Sequence, residues 1–201
     1  MASSPALTPR FTTAFDFART VHEGQVRKGG VIPYLSHPMA VCSLALSFGA
    51  DEDEAIAALL HDTAEDGGGE TVLMHIRESW GRRVEGIVRS CSDSLAENPA
   101  EKAPWRERKE AYLAHFRTSD HSTRLVAASD KLHNLQCTVA DLRLLGPEAW
   151  SRFKAGPSDQ LWYYESCVEI LAAETGDPWT RPLQEALEAF RPIATGPIES
   201  K

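Results

Sequence analysis

The chain has 201 residues, of which 42% are hydrophobic and 25% are charged, a composition typical of one globular domain with a sizeable core. Its formal net charge of −8 argues against non-specific binding to nucleic acid or to a membrane surface. No apolar run reaches the roughly 18 residues of a membrane span, and the chain does not begin with a basic and then apolar signal sequence, so we expect a cytoplasmic protein.

The first predicted element is a helix. Residues 1–9 contain two prolines and predict a flexible lead-in. Apolar residues at helical spacing follow from Phe11, and this helix is expected to end before Gly24. The glycines and proline of residues 25–35 exclude a helix there. Because Arg27 and Lys28 adjoin two glycines, the segment predicts two cations on a turn where the backbone can approach a ligand.

The second helix is predicted to begin at Ser36-His37-Pro38, with the proline in its first turn. Proline disfavours the helical region for the residue before it, so we expect the ring of His37 to project from the start of the helix. As an isolated residue, His37 also fits a capping or core histidine.

A third helix is predicted from Glu52 to the glycines that begin at Gly67. On one continuous helix, His61 would lie one turn before Glu65, and Asp62 one turn before Asp66.

These four ionisable side chains predict a metal site at the edge of the core. Three carboxylates within five residues repel one another, and a dication reverses that repulsion. An imidazole beside a carboxylate suits a borderline divalent metal such as Mn²⁺, Fe²⁺, Zn²⁺ or Ni²⁺. The alternative is a solvated polar helix face.

Two short helices, Glu70–Trp80 and Arg82–Cys91, are expected next, followed by a loop from Ser92 to Pro104. The helix Trp105–Phe116 then carries a basic cluster, Arg106, Arg108 and Lys109. A solvated face paired with Glu107 and Glu110 explains this cluster, and an anion-binding surface is the alternative.

From Arg124 onward, apolar residues alternate in steps of three and four, which predicts a long buried helix. Asp130 lies in its middle, with His133 and Asn134 one turn later. A buried aspartate must be hydrogen-bonded, ion-paired or a metal ligand, and a structural ion pair remains open.

After a turn at 148–153, helices near 158–174 and 182–190 complete a single all-α domain. The sequence thus predicts a compact helical bundle of roughly eight to ten helices over residues 10–192, with a flexible tail at 193–201.

The motifs together resemble a known family. The order and spacing of His37, His61-Asp62 and a solitary Asp130 are similar to those of the HD metal-dependent phosphohydrolase superfamily. More narrowly, Arg27-Lys28…Pro33-Tyr34-x-x-His37-Pro38, His61-Asp62-x-x-Glu65-Asp66 and Asp130-Lys131-Leu132-His133-Asn134-Leu135 resemble the hydrolase domain of the Rel/Spo family, above all its small stand-alone alarmone hydrolases, including the metazoan form. The similarity runs from about Phe11 to Leu171.

The resemblance implies hydrolysis of the 3′-pyrophosphate of ppGpp or pppGpp to GDP or GTP and pyrophosphate, with one Mn²⁺ per chain. It implies four metal ligands, which are His37, His61, Asp62 and Asp130. Glu65 and Asp66 match the pair that positions and activates the attacking water.

For the substrate, the resemblance implies that Arg27 packs on the base, that Lys28 lies near the phosphates and that Asn134 lies near the sugar and base. Lys131 and Lys109, with Arg106, are further candidates to hold a polyanion against a net negative protein.

The sequence departs from the family pattern at three places. Ala127 stands where a lysine is common, and Gly67 and Cys137 stand where threonine is usual. These departures leave open a related substrate, such as ppApp or NADPH, and a regulatory module that binds a nucleotide without cleaving it.

Overall fold

A computed structural model describes residues 6–96, 102–174 and 176–196. Within these residues the chain is helical, and its β-structure is limited to an isolated antiparallel bridge between Val26 and Pro33. The α-helices are α1 (Pro9–Val21), α2 (Ser36–Ser47), α3 (Glu52–Leu60), α4 (Thr63–Gly67), α5 (Gly69–Trp80), α6 (Arg82–Cys91), α7 (Trp105–Phe116), α8 (His121–Leu145), α9 (Pro157–Leu171) and α10 (Thr180–Thr195), with a 3₁₀ helix, Gly146–Arg152, between α8 and α9. The predicted all-α fold is confirmed.

Helix α8 is the centre of the bundle. It packs against α2, α3, α6, α9 and α10. Asp120 caps its start by accepting a hydrogen bond from the Thr123 backbone N–H at 2.8 Å, and Gly146, with φ of +67°, ends it. Leu125, Leu132 and Leu135 are buried along it, as the spacing of apolar residues predicts.

Helix α3 is buried almost completely. Its residues from Glu54 to Leu60 are all buried, and it packs between α1, α2, α6 and α8. A capping box starts it: the Asp51 carboxylate accepts from the Glu54 N–H at 3.0 Å, and the Glu54 carboxylate accepts from the Asp51 N–H at 2.8 Å. Because α2 and α3 both pack on α8, the start of α2, the end of α3 and the middle of α8 meet.

The predicted irregular segment between α1 and α2 is a tight loop. Its ends are joined by hydrogen bonds from the Arg27 N–H to the Ile32 carbonyl oxygen, 2.8 Å, and from the Tyr34 N–H to the Gln25 carbonyl oxygen, 2.9 Å. Gly29 turns the chain with φ of +72°, a conformation that other residues rarely adopt. Arg27 and Lys28 therefore lie on a short constrained turn.

The chain ends differ in part from prediction. Residues 1–5 and 197–201, within the predicted flexible segments 1–9 and 193–201, lie outside the described residues, as do residues 97–101 of the predicted loop. Helix α10 extends to Thr195, beyond both the expected end of the last helix and the start of the predicted tail at 193. In the part of the chain described here, no helix has the length and apolar character needed to cross a bilayer.

Candidate metal centre and active site

Two imidazoles and two carboxylates converge where α2, α3 and α8 meet. The Nε2 atoms of His37 and His61 lie 3.3 Å apart. Asp130 Oδ1 lies 3.1 Å from His37 Nε2 and 3.7 Å from His61 Nε2. Asp62 Oδ2 lies 3.4 Å and 3.1 Å from the same two nitrogen atoms. The structure thus brings together all four residues that the resemblance implies as ligands, although Asp130 lies 69 and 68 positions after His61 and Asp62.

The prediction of one continuous helix through this motif is wrong. Helix α3 ends at Leu60, and α4 begins only at Thr63, so His61 and Asp62 occupy the junction between the two. Two side chains form hydrogen bonds with backbone carbonyl groups in the last turn of α3. His61 Nδ1 bonds the Ala58 carbonyl oxygen at 2.9 Å, and the Thr63 hydroxyl donates to the Leu60 carbonyl oxygen at 2.6 Å. Side-chain bonds of this kind compete with the helix ladder and favour its interruption.

The expected position of His37 outside the helix is also wrong. Helix α2 begins at Ser36, so His37 is already helical and Pro38 still lies in the first turn. The backbone N–H of His37 donates to the Tyr34 carbonyl oxygen at 2.8 Å, which closes the turn before the helix. His37 is 2% exposed, and its ring reaches the site from the first turn of α2.

The charges of the four residues depend on one another. Burial alone would raise the pKa of Asp130, but Lys131 and the two imidazoles hold it well below its ordinary range. Burial likewise opposes ionisation of Asp62, and His61 and His37 hold its pKa well below the usual value. Burial alone would lower the pKa of His61, yet Asp62 and Asp130 raise it well above 6.5.

This donor set suits a divalent cation. In the metal-free protein, His61 and Lys131 supply positive charge to these two carboxylates, and the same carboxylates raise the pKa of His61. A divalent ion would supply that positive charge and take the same nitrogen and oxygen atoms as ligands. The ligand atoms of His37, His61 and Asp62 lie within 4.8 Å of one another, close enough to share one ion.

Glu65 and Asp66, the predicted water-activating pair, lie on α4, which begins directly after Asp62. Glu65 Oε2 accepts a weak hydrogen bond from the Asp93 backbone N–H at 3.4 Å, and Glu65 Oε1 lies 3.7 Å from Lys102 Nζ. Burial, together with the charges of Asp93 and Asp62, raises the pKa of Glu65 to about 7. Burial and the charge of Asp62 also raise the pKa of Asp66. A carboxylate poised near neutral pH can exchange a proton with water.

Two of the predicted substrate residues, Arg27 and Asn134, are linked to the site by hydrogen bonds. Arg27 Nη2 donates to Asn134 Oδ1 at 3.2 Å, and Asn134 Nδ2 donates to Asp130 Oδ1 at 2.5 Å. Lys28 is an exposed residue on the same turn as Arg27, and partial desolvation, with the nearby cation of Lys109, lowers its pKa. The turn after α1 is therefore joined to the face of α8 that carries Asp130 by the Arg27–Asn134 hydrogen bond.

The other two predicted substrate residues already hold carboxylates. Lys131 Nζ lies 2.5 Å from Asp130 Oδ2 and is buried, so Asp130 has the ion pair that the sequence left open, while its Oδ1 faces the two imidazoles. Lys109 Nζ lies 2.6 Å from Asp93 Oδ2. Arg108 binds the other oxygen of Asp93 at 2.5 Å.

The solvated basic face expected on α7 is present only at Arg106, which pairs with Glu110 at 2.8 Å. The side chains of Arg108 and Lys109 are only 14% and 17% exposed. They point to Asp93, which lies beyond the end of α6.

Sequence reasoning missed three residues around the candidate site. The Tyr34 hydroxyl donates to Asp62 Oδ2 at 2.7 Å, His133 Nδ1 lies 2.7 Å from His37 Nδ1, and Asp93 joins Glu65 to the cations of α7. Tyr34 and His133 stand inside the quoted motifs, so their positions could have drawn attention. No signal in the sequence marks Asp93.

The departure at Gly67 has a packing explanation. A Cβ atom added at Gly67 would lie 2.8 Å from Val21 Cγ1, closer than such atoms approach without movement. Val21 of α1 therefore fills the space that a side chain at position 67 would need. Ala127 is buried, and nothing in the structure explains the absence of a lysine there.

Comparison with known proteins agrees with this geometry. The HD-domain family model matches residues 14–150. The chain is 34% identical over 154 residues to the guanosine-3′,5′-bis(diphosphate) 3′-pyrophosphohydrolase MESH1 of Xenopus tropicalis, which covers 75% of this chain and 78% of that protein. The human protein of the same name is 31% identical over 178 residues, 87% of this chain and 89% of its own length.

Solved structures are similar in fold. A metazoan ortholog of SpoT, described as hydrolysing ppGpp, superposes with a TM-score of 0.72 at 24% identity and covers 90% of this chain and 95% of its own. The protein lmo0812 from Listeria monocytogenes superposes with a TM-score of 0.64 at 28% identity, over 76% of this chain and 96% of that one.

The helical bundle and its His/Asp cluster define a metal-dependent phosphohydrolase. The chain belongs to the HD-domain family, because the family model covers more than half of it and relatives above 30% identity align over most of their length.

Proposed function

We propose that the chain is a guanosine-3′,5′-bis(diphosphate) 3′-pyrophosphohydrolase, which cleaves ppGpp to GDP and pppGpp to GTP with release of pyrophosphate. The observation that carries the proposal is the 31% identity to the human protein of that name, over 87% of this chain and 89% of that one. The convergence of His37, His61, Asp62 and Asp130 supports it, because this chemistry needs a metal site beside a water-activating carboxylate.

The metal we propose is one Mn²⁺ per chain, held by those four residues. Carboxylate oxygens and neutral imidazole nitrogens together suit this ion, although other borderline divalent ions have the same preference. A divalent ion bound there supplies Lewis-acid activation of water and neutralises negative charge on the phosphoryl oxygens.

Glu65 and Asp66 are proposed as the residues that handle the proton of the attacking water. Glu65 in its ionised form accepts the proton, and its pKa of about 7 makes both protonation states accessible near neutral pH. Asp66 lies on the same turn and orients the water. Oxygen from water then forms a bond to the phosphorus joined to the ribose O3′, the P–O3′ bond breaks, and O3′ takes up a proton.

Arg27, Lys28 and Asn134 are proposed to bind the nucleotide. Arg27 presents a planar cation to the base, Lys28 lies near the phosphates, and Asn134 fixes Arg27 against α8. Lys131 and Lys109 complete the proposed set. Since both already pair with carboxylates, they act on the substrate phosphates mainly through their charge.

The proposed partners and location follow from composition. A net charge of −8 suits a nucleotide drawn in by local cations and does not suit nucleic acid or a membrane as partner. The described cysteines are free thiols, which fits a reducing compartment, and we propose the cytoplasm.

Product analysis tests the activity. Purified protein with Mn²⁺ is incubated separately with ppGpp, ppApp and NADPH in H₂¹⁸O, and products are separated by anion exchange and examined by ³¹P NMR and mass spectrometry. We expect GDP and ¹⁸O-labelled pyrophosphate from ppGpp. Glu65→Gln should keep the metal and lose turnover, and Glu78→Gln, an exposed change on α5, should behave as wild type. Absence of pyrophosphate release from ppGpp, or a clear preference for another substrate, would contradict the proposal.

A further inference from the structure

The two imidazoles of the metal centre are supported in different ways. The Nε2 atoms of both face the carboxylates, so their Nδ1 atoms point outward. His61 Nδ1 bonds the backbone carbonyl oxygen of Ala58 at 2.9 Å, and a carbonyl can only accept. His37 Nδ1 instead meets another imidazole nitrogen, His133 Nδ1, at 2.7 Å. The support of His37 is therefore a side chain that can be replaced without touching a ligand.

The direction of this hydrogen bond follows from metal binding. A neutral imidazole that binds a metal through Nε2 carries its proton on Nδ1, so His37 Nδ1–H must donate. His133 Nδ1 must then accept, and the proton of the neutral His133 ring must be on Nε2. That nitrogen lies 3.5 Å from the Sγ atom of Cys137, one turn further along α8. The same Sγ atom lies 4.0 Å from His133 Nδ1, so Cys137 packs beside the His133 ring and not along its Nε2–H bond.

Helix packing fixes the positions of the His37 and His133 rings. His133 and Cys137 are four residues apart on α8, so they lie on the same face of one helix. The His37 and His133 rings are 4.9 Å apart between centroids and inclined by 31°. Because α2 packs directly on α8, the distance between these rings is set by the helix contact rather than by a flexible loop.

We propose that His133 is a positioning residue for the metal centre: it fixes the tautomer and ring orientation of His37 through the Nδ1–Nδ1 hydrogen bond. The proposal rests on the proposed ligand set and does not depend on which nucleotide is cleaved. Outer-sphere partners of metal-bound histidines typically change metal affinity by roughly 10–100-fold when they are removed.

Two substitutions separate hydrogen bonding from packing. His133→Phe keeps a planar ring and removes the acceptor, and His133→Asn keeps an acceptor oxygen near the position of Nδ1. We expect His133→Phe to bind Mn²⁺ roughly 10–100-fold more weakly, and His133→Asn to recover most of the affinity. His115→Phe, the same change at an exposed position of α7, is the matched control and should bind as wild type.

The measurements are Mn²⁺ affinity by chelator competition and the visible spectrum of the Co²⁺-loaded protein. Affinity that falls equally in His133→Phe and His133→Asn, or falls in neither, would overturn the proposal. A Co²⁺ spectrum that changes in His133→Phe and returns in His133→Asn supports it, because a purely structural loss would not be restored by a smaller acceptor.

A direct measurement needs no variant. In Zn²⁺-loaded wild-type protein labelled with ¹⁵N-histidine, the ¹⁵N shifts report which nitrogen of each ring carries the proton. We expect His133 as the Nε2–H tautomer and His37 with its proton on Nδ1. His133 with its proton on Nδ1 would refute the proposal even if His133→Phe failed to fold. Wild-type protein that bound none of these metals would instead refute the ligand set itself.

Discussion

Replacing Glu65 by glutamine should stabilise the metal-free protein at high pH. The Glu65 carboxyl has an ordinary pKa of 4.5, and burial beside Asp93 and Asp62 raises it to about 7. At about 1.4 kcal/mol for each unit of pKa, ionised Glu65 costs the folded state about 3 kcal/mol at a pH well above 7. The side chain is 26% exposed, so solvent screening reduces this figure, and we expect about 2 kcal/mol.

The direction of the pH dependence follows from proton binding. Between pH 4.5 and about 7 the folded protein holds a proton on Glu65 that the unfolded chain has lost. The free energy of unfolding therefore falls as the pH rises through this window and levels off above it. Glutamine cannot ionise, so Glu65→Gln removes this contribution and leaves the hydrogen-bonding shape of the side chain.

Urea denaturation in the presence of EDTA measures the effect. Relative to wild type, Glu65→Gln should raise the free energy of unfolding by about 2 kcal/mol at pH 8.5 and by less than about 1 kcal/mol at pH 5. Glu78→Gln, on the exposed face of α5, should differ little from wild type at either pH. An equal change for Glu65→Gln at both pH values would show that this carboxyl ionises normally, and the assigned role of a base poised near neutrality would be refuted.

Three further predictions test the metal centre, the turn after α1 that carries Arg27, and the core. Asp130→Asn should abolish high-affinity Mn²⁺ binding in chelator competition, and unchanged affinity would exclude Asp130 as a ligand. Because the substitution leaves the buried Lys131 cation unpaired, it should also destabilise the metal-free protein by about 3 kcal/mol in urea denaturation. Arg27→Ala, which removes the hydrogen bond to Asn134, should raise the KM for ppGpp about tenfold with a smaller change in kcat, because it removes about 1.4 kcal/mol of ground-state binding. Steady-state kinetics in which only kcat falls would contradict this prediction. Leu183→Ala, on the buried face of α10, should lower the free energy of unfolding by about 2–5 kcal/mol with the Mn²⁺ affinity unchanged; a loss of affinity beyond the loss of folded protein would show that α10 shapes the site.

Local sequence chemistry was sufficient for most of the helices. Helix α6 and helix α7 have the predicted bounds, and the apolar spacing after Arg124 predicted most of α8. These predictions succeeded because capping residues, glycines and a 3.6-residue apolar period act within one or two turns. The same local reasoning failed at His61 and Asp62, where two side-chain bonds to carbonyls of the preceding turn divide what the pattern predicts as one helix.

The sequence by itself determined which residue types were available to hold a metal, because the three motifs carry their donors in a recognisable order. Only the tertiary structure decided their partners. His133 contacts His37, 96 positions earlier in the sequence, and Asp93 joins Glu65 to two cations of α7. The spacing of residues in the sequence does not predict these contacts. The physical reason is that donor type is a property of each side chain, whereas hydrogen-bond direction, ion pairing and the pKa of a buried group depend on how α2, α7 and α8 pack together.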